Sequence, residues 1–147
     1  MRNQSHFVML GSLAKEAAIK AGQQLGYVQQ LRQQAAQQLN LLLDYQNEYH
    51  LKLNSTLCAG TTSASWKNYQ QFIQTLEQAI VQQREQLIKC NDSVECSIEQ
   101  WQLKRQRLNA YEKLHKRAQK AQQRHENCLE QQSMDEFAQR HHWSLAQ

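Results

Sequence analysis

The chain of 147 residues contains no proline and only four glycines, and both scarcities favour unbroken helix. Proline removes a backbone donor and breaks helices, and glycine costs helical stability relative to alanine. Glutamine alone supplies 27 residues. Glutamine, leucine, alanine, glutamate, lysine and arginine all keep their rotamer freedom in a helix. The composition therefore predicts an all-α protein of a single domain, residues 1–147, and argues against a compact globule.

Long apolar runs are also missing. No stretch approaches the roughly 18 apolar residues of a membrane span, and the short run of residues 7–10 does not make a signal peptide. We therefore expect the chain in the cytosol, where its four cysteines would be reduced thiols. The net charge of +4 suits an acidic protein surface, anionic lipid or nucleic acid, and charge alone does not choose among them.

Signatures of catalysis and metal binding are absent as well. The sequence has no Gly-rich phosphate loop and no Ser/His/Asp or Cys/His arrangement. Cys90 and Cys96 are six residues apart and point in different directions on a helix. His125 with Cys128 supplies only two of the ligands of a structural zinc site. We predict no catalytic residues, no cofactor and no metal, and a function that consists of binding other proteins.

One clear break interrupts the helical pattern. Residues 54–63 hold a glycine and a cluster of Ser, Thr and Asn, which favour turns and helix caps. This break predicts a first helix over about residues 5–53 and a second over about residues 64–140, with Ser63 or Ser65 as its N-cap. At about 1.5 Å per residue, residues 63–140 would span roughly 115 Å.

The second helix carries a clean heptad repeat, which indicates a coiled coil. Its a positions are Trp66, Ile73, Ile80, Leu87, Val94, Trp101, Leu108, His115, Gln122 and Leu129. Its d positions are Tyr69, Leu76, Gln83, Cys90, Ser97, Lys104, Tyr111, Ala118 and His125.

A second register fits the first helix. Its a positions are Ala14, Ala21, Val28, Ala35, Leu42 and Tyr49. Its d positions are Leu10, Ala17, Gln24, Leu31, Gln38, Tyr45 and Lys52, with Leu25, Leu39 and Leu53 widening the apolar stripe at e. Folding the chain at residue 59 places every a residue of one helix opposite a d residue of the other, for example Leu42 opposite Leu76. The pattern predicts an antiparallel two-helix coiled-coil hairpin, with an unpaired C-terminal overhang from about residue 112.

Two groups of side chains are candidates for binding. Eight bases crowd residues 104–124, where Glu112 is the only acid. They are Lys104, Arg105, Arg107, Lys113, Lys116, Arg117, Lys120 and Arg124. A solvated helix face is the plain interpretation, and a protein-docking surface is the functional one. A DNA-binding basic region would precede a parallel zipper, whereas this run follows the seam.

Aromatic residues form the other group, near the predicted turn. They are Tyr45, Tyr49, Trp66, Tyr69 and Phe72. Four of them occupy a or d positions, so a coiled-coil core explains them without any partner. Phe72 is at g and should be partly exposed, and tyrosine enrichment of this kind suits recognition.

Three motifs resemble the FliJ family of bacterial flagellar export proteins. They are Leu43-Asp44-Tyr45-Gln46-Asn47-Glu48-Tyr49, Asn68-Tyr69-Gln70-Gln71-Phe72-Ile73-Gln74-Thr75-Leu76-Glu77 and Met134-Asp135-Glu136-Phe137-Ala138-Gln139-Arg140. The resemblance implies a hairpin similar to the central stalk of rotary ATPases. It also implies binding at the centre of the hexameric flagellar export ATPase, contact with the export-gate membrane protein and escort of export chaperones.

The resemblance also suggests where these partners bind. The gate-binding surface would comprise Gln38, Leu42, Tyr45, Tyr49, Phe72, Leu76 and Ala79. The eight bases and the overhang suit the ATPase ring. The chain would lie in the cytoplasm, peripheral at the inner membrane through its partners alone, and bind no nucleic acid. A stalk of a virulence type III secretion system is the near alternative, and a basic coiled-coil nucleic-acid-binding protein the distant one.

Overall fold

The structure, a computed structural model, describes residues 2–146, with side chains from residue 5 onward. It consists of two long helices packed against each other, α1 over Arg2–Ala59 and α2 over Ser63–Leu145. No strand occurs among the described residues. The predicted fold class is confirmed. The predicted single domain includes Met1 and Gln147, which lie outside the described residues, and it stays a prediction.

A turn of three residues joins the helices. Gly60 has φ of 82°, a left-handed conformation that glycine adopts without steric cost, and its N–H donates to the Leu57 carbonyl at 3.3 Å. Thr62 caps α2: its carbonyl accepts from the Trp66 N–H at 3.2 Å and its hydroxyl oxygen accepts from the Ser65 N–H at 3.4 Å. The cap is therefore Thr62, one residue before the earlier of the two predicted candidates.

The helices are longer than the sequence predicted. The turn expected at residues 54–63 occupies only residues 60–62, because α1 continues to Ala59. Ser55 and Thr56 are accommodated in the helix by hydroxyl hydrogen bonds to the Lys52 carbonyl, at 3.0 and 2.7 Å. The outer ends are also extended, with α1 beginning at Arg2 instead of residue 5 and α2 ending at Leu145 instead of residue 140.

The heptad register predicted for α2 is confirmed over most of its length. Every a and d position from Trp66 to Ala118 is buried or half-buried. Beyond Ala118, every described residue is exposed, and Leu129 is 52% exposed although it keeps the heptad phase. The overhang thus begins near residue 119 instead of residue 112.

The register predicted for α1 is half wrong. Its a row is buried or half-buried throughout, from Ala14 to Tyr49, but its d row is exposed except at Ala17. The second row facing the seam is the next one along the helix, at the predicted e positions. Its buried or half-buried members are Gly11, Ala18, Leu25, Leu39, Gln46 and Leu53. An apolar stripe three rows wide does not reveal which two rows face the partner.

The corrected rows move the fold point from residue 59 to residue 61. In residues 20–102, which form one packing unit, a and d positions then pair as Ala35 with Leu87, Leu42 with Ile80 and Val28 with Val94. This core is small, since the described residues there include only five buried hydrophobic side chains: Val28, Ala35, Leu76, Ile80 and Val94. A Cβ added at Gly22 would lie 3.4 Å from the indole nitrogen of Trp101, so the backbone of α1 approaches closely there.

The described residues 2–19 and 103–146 form the other packing unit. Ala18 is its one buried hydrophobic residue among those described. His115 occupies an a position, and its Nδ1 is buried without a hydrogen-bond partner in the described part of the chain. This half of the seam is thin, which is consistent with its small side chains on α1.

Candidate protein-docking surfaces

The corrected register brings the seven predicted gate-binding residues onto one edge of the hairpin, which we call the aromatic edge. Leu42, Tyr49 and Leu76 occupy d positions in this register. Gln38, Tyr45, Phe72 and Ala79 occupy g positions. In antiparallel helices the g positions flank the same side of the seam. In the register first predicted from the sequence, Gln38 and Tyr45 were seam residues, so this common edge was not visible.

Exposure divides the aromatic edge into a contact layer and a support layer. Tyr45 is 51% and Phe72 is 42% exposed, and the Gln38 side chain is exposed too. Leu76 is only 8% exposed and lies in the core beneath them. The partial exposure predicted for Phe72 is confirmed, whereas Tyr45 lies outside the seam that was predicted to hold it.

The rings of Tyr49 and Phe72 hold the two helices together near the turn. Their centroids are 4.3 Å apart and the ring planes are inclined by 44°, a geometry that favours aromatic pairs. The Lys52 ammonium lies 5.5 Å from the centroid of the Tyr49 ring, within cation–π range. Sequence reasoning missed Lys52 because it was placed in the seam. Its position three residues after Tyr49 was the available signal.

A shallow cavity of about 270 Å³ opens beside this aromatic pair. It is lined by Tyr49, Ser65, Asn68, Tyr69 and Phe72. Ser65 and Asn68 were not among the predicted site residues, because polar residues at the start of a helix read as caps. The cavity combines three aromatic side chains with a serine hydroxyl and an asparagine amide, which suits a side chain with an apolar body and a polar tip.

Gln83 anchors the other end of the aromatic edge. Its amide nitrogen donates to the Ala35 carbonyl at 3.0 Å and to the Gln38 side-chain oxygen at 3.2 Å. The sequence analysis placed Gln83 in the seam, and it is half-buried there. Its polar group is satisfied within the hairpin, and it fixes the orientation of Gln38 on the exposed edge.

The eight predicted bases do not form one surface. Lys104 is half-buried at a d position, while Arg105 and Arg107 lie on opposite flanks of the seam at e and g. The remaining five are exposed and follow one outer face at helical spacing. We call them the basic stripe: Lys113, Lys116, Arg117, Lys120 and Arg124. Five cations on one helix face create a positive potential that attracts acidic surfaces.

The exposed segment of residues 119–146 is the free end of α2. Its large apolar side chains are almost fully accessible, with Phe137 73%, Met134 74% and Trp143 75% exposed. The Phe137 and His141 rings stack at 6.3 Å with an angle of 12°. Exposed apolar side chains that lie close together often mark a site where another protein binds. The free end is therefore a further candidate docking segment.

The described residues offer little chemistry beyond these surfaces. They hold no group of three or more His, Cys, Asp or Glu residues placed to bind a metal ion. None of the helices, over the residues described, is long and apolar enough to cross a membrane. The candidate sites are therefore the aromatic edge, the basic stripe and the free end.

Two long helices packed against each other define the class of two-helix coiled-coil hairpins. The family described as "Flagellar FliJ protein" matches residues 3–146. The flagellar FliJ protein of Escherichia coli K12 is 48% identical over 131 residues, 89% of each chain. That of Salmonella typhi is 45% identical over the same share of each chain, and that of Buchnera aphidicola is 36% identical over 69% of this chain and 67% of its own.

The chain belongs to the FliJ family, and the resemblance seen in its three motifs is confirmed. It is thus a non-enzymatic component of flagellar protein export.

Proposed function

We propose that this chain links the flagellar export ATPase to the membrane export gate by binding each through a different surface. The aromatic edge docks on the cytoplasmic part of the gate protein. The basic stripe and the free end bind the centre of the ATPase hexamer and promote its assembly and activity. The chain works in the cytoplasm, peripheral at the inner membrane through these partners, and it binds no nucleic acid and needs no cofactor.

The aromatic edge supports the gate-binding part of this proposal, and it is the observation that carries most weight. Seven residues that a family resemblance assigned to one function fall on one edge of the hairpin once the register is corrected. Tyr45 and Phe72 present their rings to solvent there, and Leu76 supports them from the core. Aromatic residues over a packed base are typical of interface positions that carry most of the binding energy.

The basic stripe and the free end support binding to the ATPase. The stripe offers five exposed cations, and the free end offers the exposed apolar side chains of Met134, Phe137 and Trp143. Charge complementarity speeds encounter and fixes orientation, while apolar burial supplies affinity. Lys104 belongs to the seam, so we assign it to stability and not to binding.

Family membership supports the escort of export chaperones. The family match covers residues 3–146, so the aromatic edge, the basic stripe and the free end all lie within it. We expect chaperones to compete with either the export ATPase or the gate protein, because only three exposed surfaces are available among the described residues.

Substitution of Phe72 tests the gate-binding surface. Phe72→Ala should weaken binding to the cytoplasmic part of the gate protein by about 2 kcal/mol, since truncation of interface aromatics costs this much. Isothermal titration calorimetry measures the affinity. Stimulation of the ATPase should be unchanged, because Phe72 is distant in sequence from the basic stripe and belongs to the other packing unit.

Val81→Ala is the matched control, because Val81 is 55% exposed but lies on the outer face of α2. It should bind the gate like the wild-type chain. Normal binding by Phe72→Ala, or equal weakening by both variants, would refute the aromatic edge as the gate site.

A further inference from the structure

The surface of α1 contains one more apolar row than the hairpin uses. The row at Val28, Ala35, Leu42 and Tyr49 faces the seam both in the register predicted from the sequence and in the observed one. Two rows flank it. The row in use over residues 20–59 is Leu25, Arg32, Leu39, Gln46 and Leu53, and the unused row is Gln24, Leu31, Gln38, Tyr45 and Lys52. Each row holds one charged residue, and the row in use has three leucines where the unused row has one leucine and one tyrosine, so the observed register is the more apolar of the two.

We infer that this hairpin has two registers, and that α1 can slide along α2 by one helical turn to exchange the two rows. In the observed register Leu87 faces Ala35. A slide of four residues, about 6 Å, would place Leu31 opposite Leu87 and keep every a position opposite a d position. Shifts of one element past another by one turn are an established form of conformational switch.

Gln83 is already bonded in a way that both registers allow. In the observed register it faces Leu39, yet its amide reaches one turn along α1 to the Ala35 carbonyl and the Gln38 side chain. Ala35 is the residue that Gln83 would face after the slide. A polar residue inside a seam usually selects one register because its partner is lost in others. Here the bond to Ala35 is retained, so Gln83 does not oppose the slide.

The end of α1 supplies the chain length that a slide requires. Moving the fold point from residue 61 to residue 59 means unwinding the last turn of α1. That turn contains Ser55, Thr56 and Cys58, which are poor helix formers. Hydroxyl bonds from Ser55 and Thr56 to the Lys52 carbonyl also give the backbone a local alternative to the helix ladder.

The register controls the aromatic edge. Tyr45 is 51% exposed in the observed register, and after the slide it would enter the seam opposite Ile73. A partner that binds Tyr45 therefore stabilises the observed register, and the register in turn changes affinity for that partner. This part of the inference rests on the gate-binding function proposed above, whereas the existence of two registers does not.

Cysteine pairs test the two registers directly. In the full chain with Cys58, Cys96 and Cys128 changed to Ser and Cys90 to Ala, three variants each carry Leu87→Cys. The second thiol is Ala35→Cys for the observed register, Leu31→Cys for the shifted one, or Leu39→Cys as the control. Leu31 and Leu39 are each one turn from Ala35, but Leu39 is half-buried at the seam and Leu31 is exposed.

Without a slide, the control pair is at least as well placed to form a disulfide as the shifted pair. The inference predicts that, in a glutathione buffer, the shifted pair crosslinks about tenfold more than the control, an excess set by the population of the second register. Crosslinking of the shifted pair at or below the control would overturn it. Circular dichroism checks the helicity of each variant. Tyr45→Cys with Ile73→Cys, against Leu53→Cys with Ile73→Cys, repeats the design should the first set misfold.

The oxidised variants also test the link to binding. The shifted pair, once crosslinked, should bind the gate protein about tenfold more weakly than the observed-register pair, and reduction should restore affinity. Equal binding by the two crosslinked forms would refute the control of the aromatic edge by the register. If the wild-type chain does not bind the gate protein, the proposed function fails, and the crosslinking ratio still decides whether two registers exist.

Discussion

Two glycines of the chain, Gly26 and Gly60, have opposite effects on the stability of the fold. Gly60 has a positive φ that other L-residues adopt at a cost, and it ends α1. Gly26 lies inside α1 with nothing within 4 Å of the position of an added Cβ. Gly60 therefore serves the turn, while Gly26 costs the helix stability without any contact that needs it.

Substituting each glycine by alanine should shift stability in opposite directions. Gly26→Ala should raise the free energy of unfolding by about 0.5–1 kcal/mol, because alanine loses less backbone entropy in a helix. Gly60→Ala should lower it by about 1 kcal/mol, because of the left-handed conformation. Urea unfolding followed by circular dichroism measures both. A destabilising Gly26→Ala would mean that another chain or segment packs against that position.

The exposure of an aromatic residue could be predicted from the sequence only on the helix whose heptad register could be predicted. Phe72 lies on α2, whose heptad has one clear pair of apolar rows, and its exposure followed from its g position. Tyr45 lies on α1, where three rows are apolar, and the sequence placed it in the seam. The difference lies in the pattern of apolar side chains. Periodicity locates the apolar stripe of a helix, whereas packing against the other helix decides which rows of the stripe face the seam.

At the scale of whole elements, α2 has a paired part and an unpaired part. Pairing ends near Ala118, where buried and half-buried positions stop. Beyond that point α2 lacks the tertiary packing that supplies most helical stability in proteins. The sequence predicted the overhang but began it at residue 112. Moving the fold point from residue 59 to residue 61 shifts the partner of each α1 residue by four residues along α2, which accounts for most of the difference.

Deleting residues 119–147 should separate folding from function. The paired seam is untouched, so the melting temperature of the remaining chain should stay within about 3 °C of the wild-type value, a change of well under 1 kcal/mol. Stimulation of the export ATPase should be lost. Thermal melting and an ATPase assay report the two effects. A large fall in melting temperature would show that the free end packs on its own chain.

The basic stripe gives a second test on α2. Reversing charge at Lys116, Arg117 and Lys120 should slow association with the ATPase markedly at low salt and less at high salt, as expected for electrostatic steering. Surface plasmon resonance measures the association rate. The control reverses charge at Lys67, Arg84 and Lys89, three exposed bases outside the stripe, and so makes the same change in net charge. Equal effects of both sets would mean that net charge alone governs the encounter.

At the scale of the whole molecule, the proposed function depends on two kinds of surface in one chain. The aromatic edge lies within residues 20–102, and the basic stripe and free end belong to the other packing unit. The fold class and the family followed from composition, heptads and three motifs. The common edge of the predicted gate-binding residues did not, because it depends on which rows of α1 pack against α2.

The most direct test of the link between gate and ATPase is a bridging measurement. The cytoplasmic part of the gate protein is immobilised, and the export ATPase is added with or without this chain. The proposal predicts that the ATPase is retained only when the chain is present. Phe72→Ala should lose both the chain and the ATPase, whereas deletion of residues 119–147 should keep the chain and lose the ATPase. Equal retention of the ATPase with and without the chain would contradict the account.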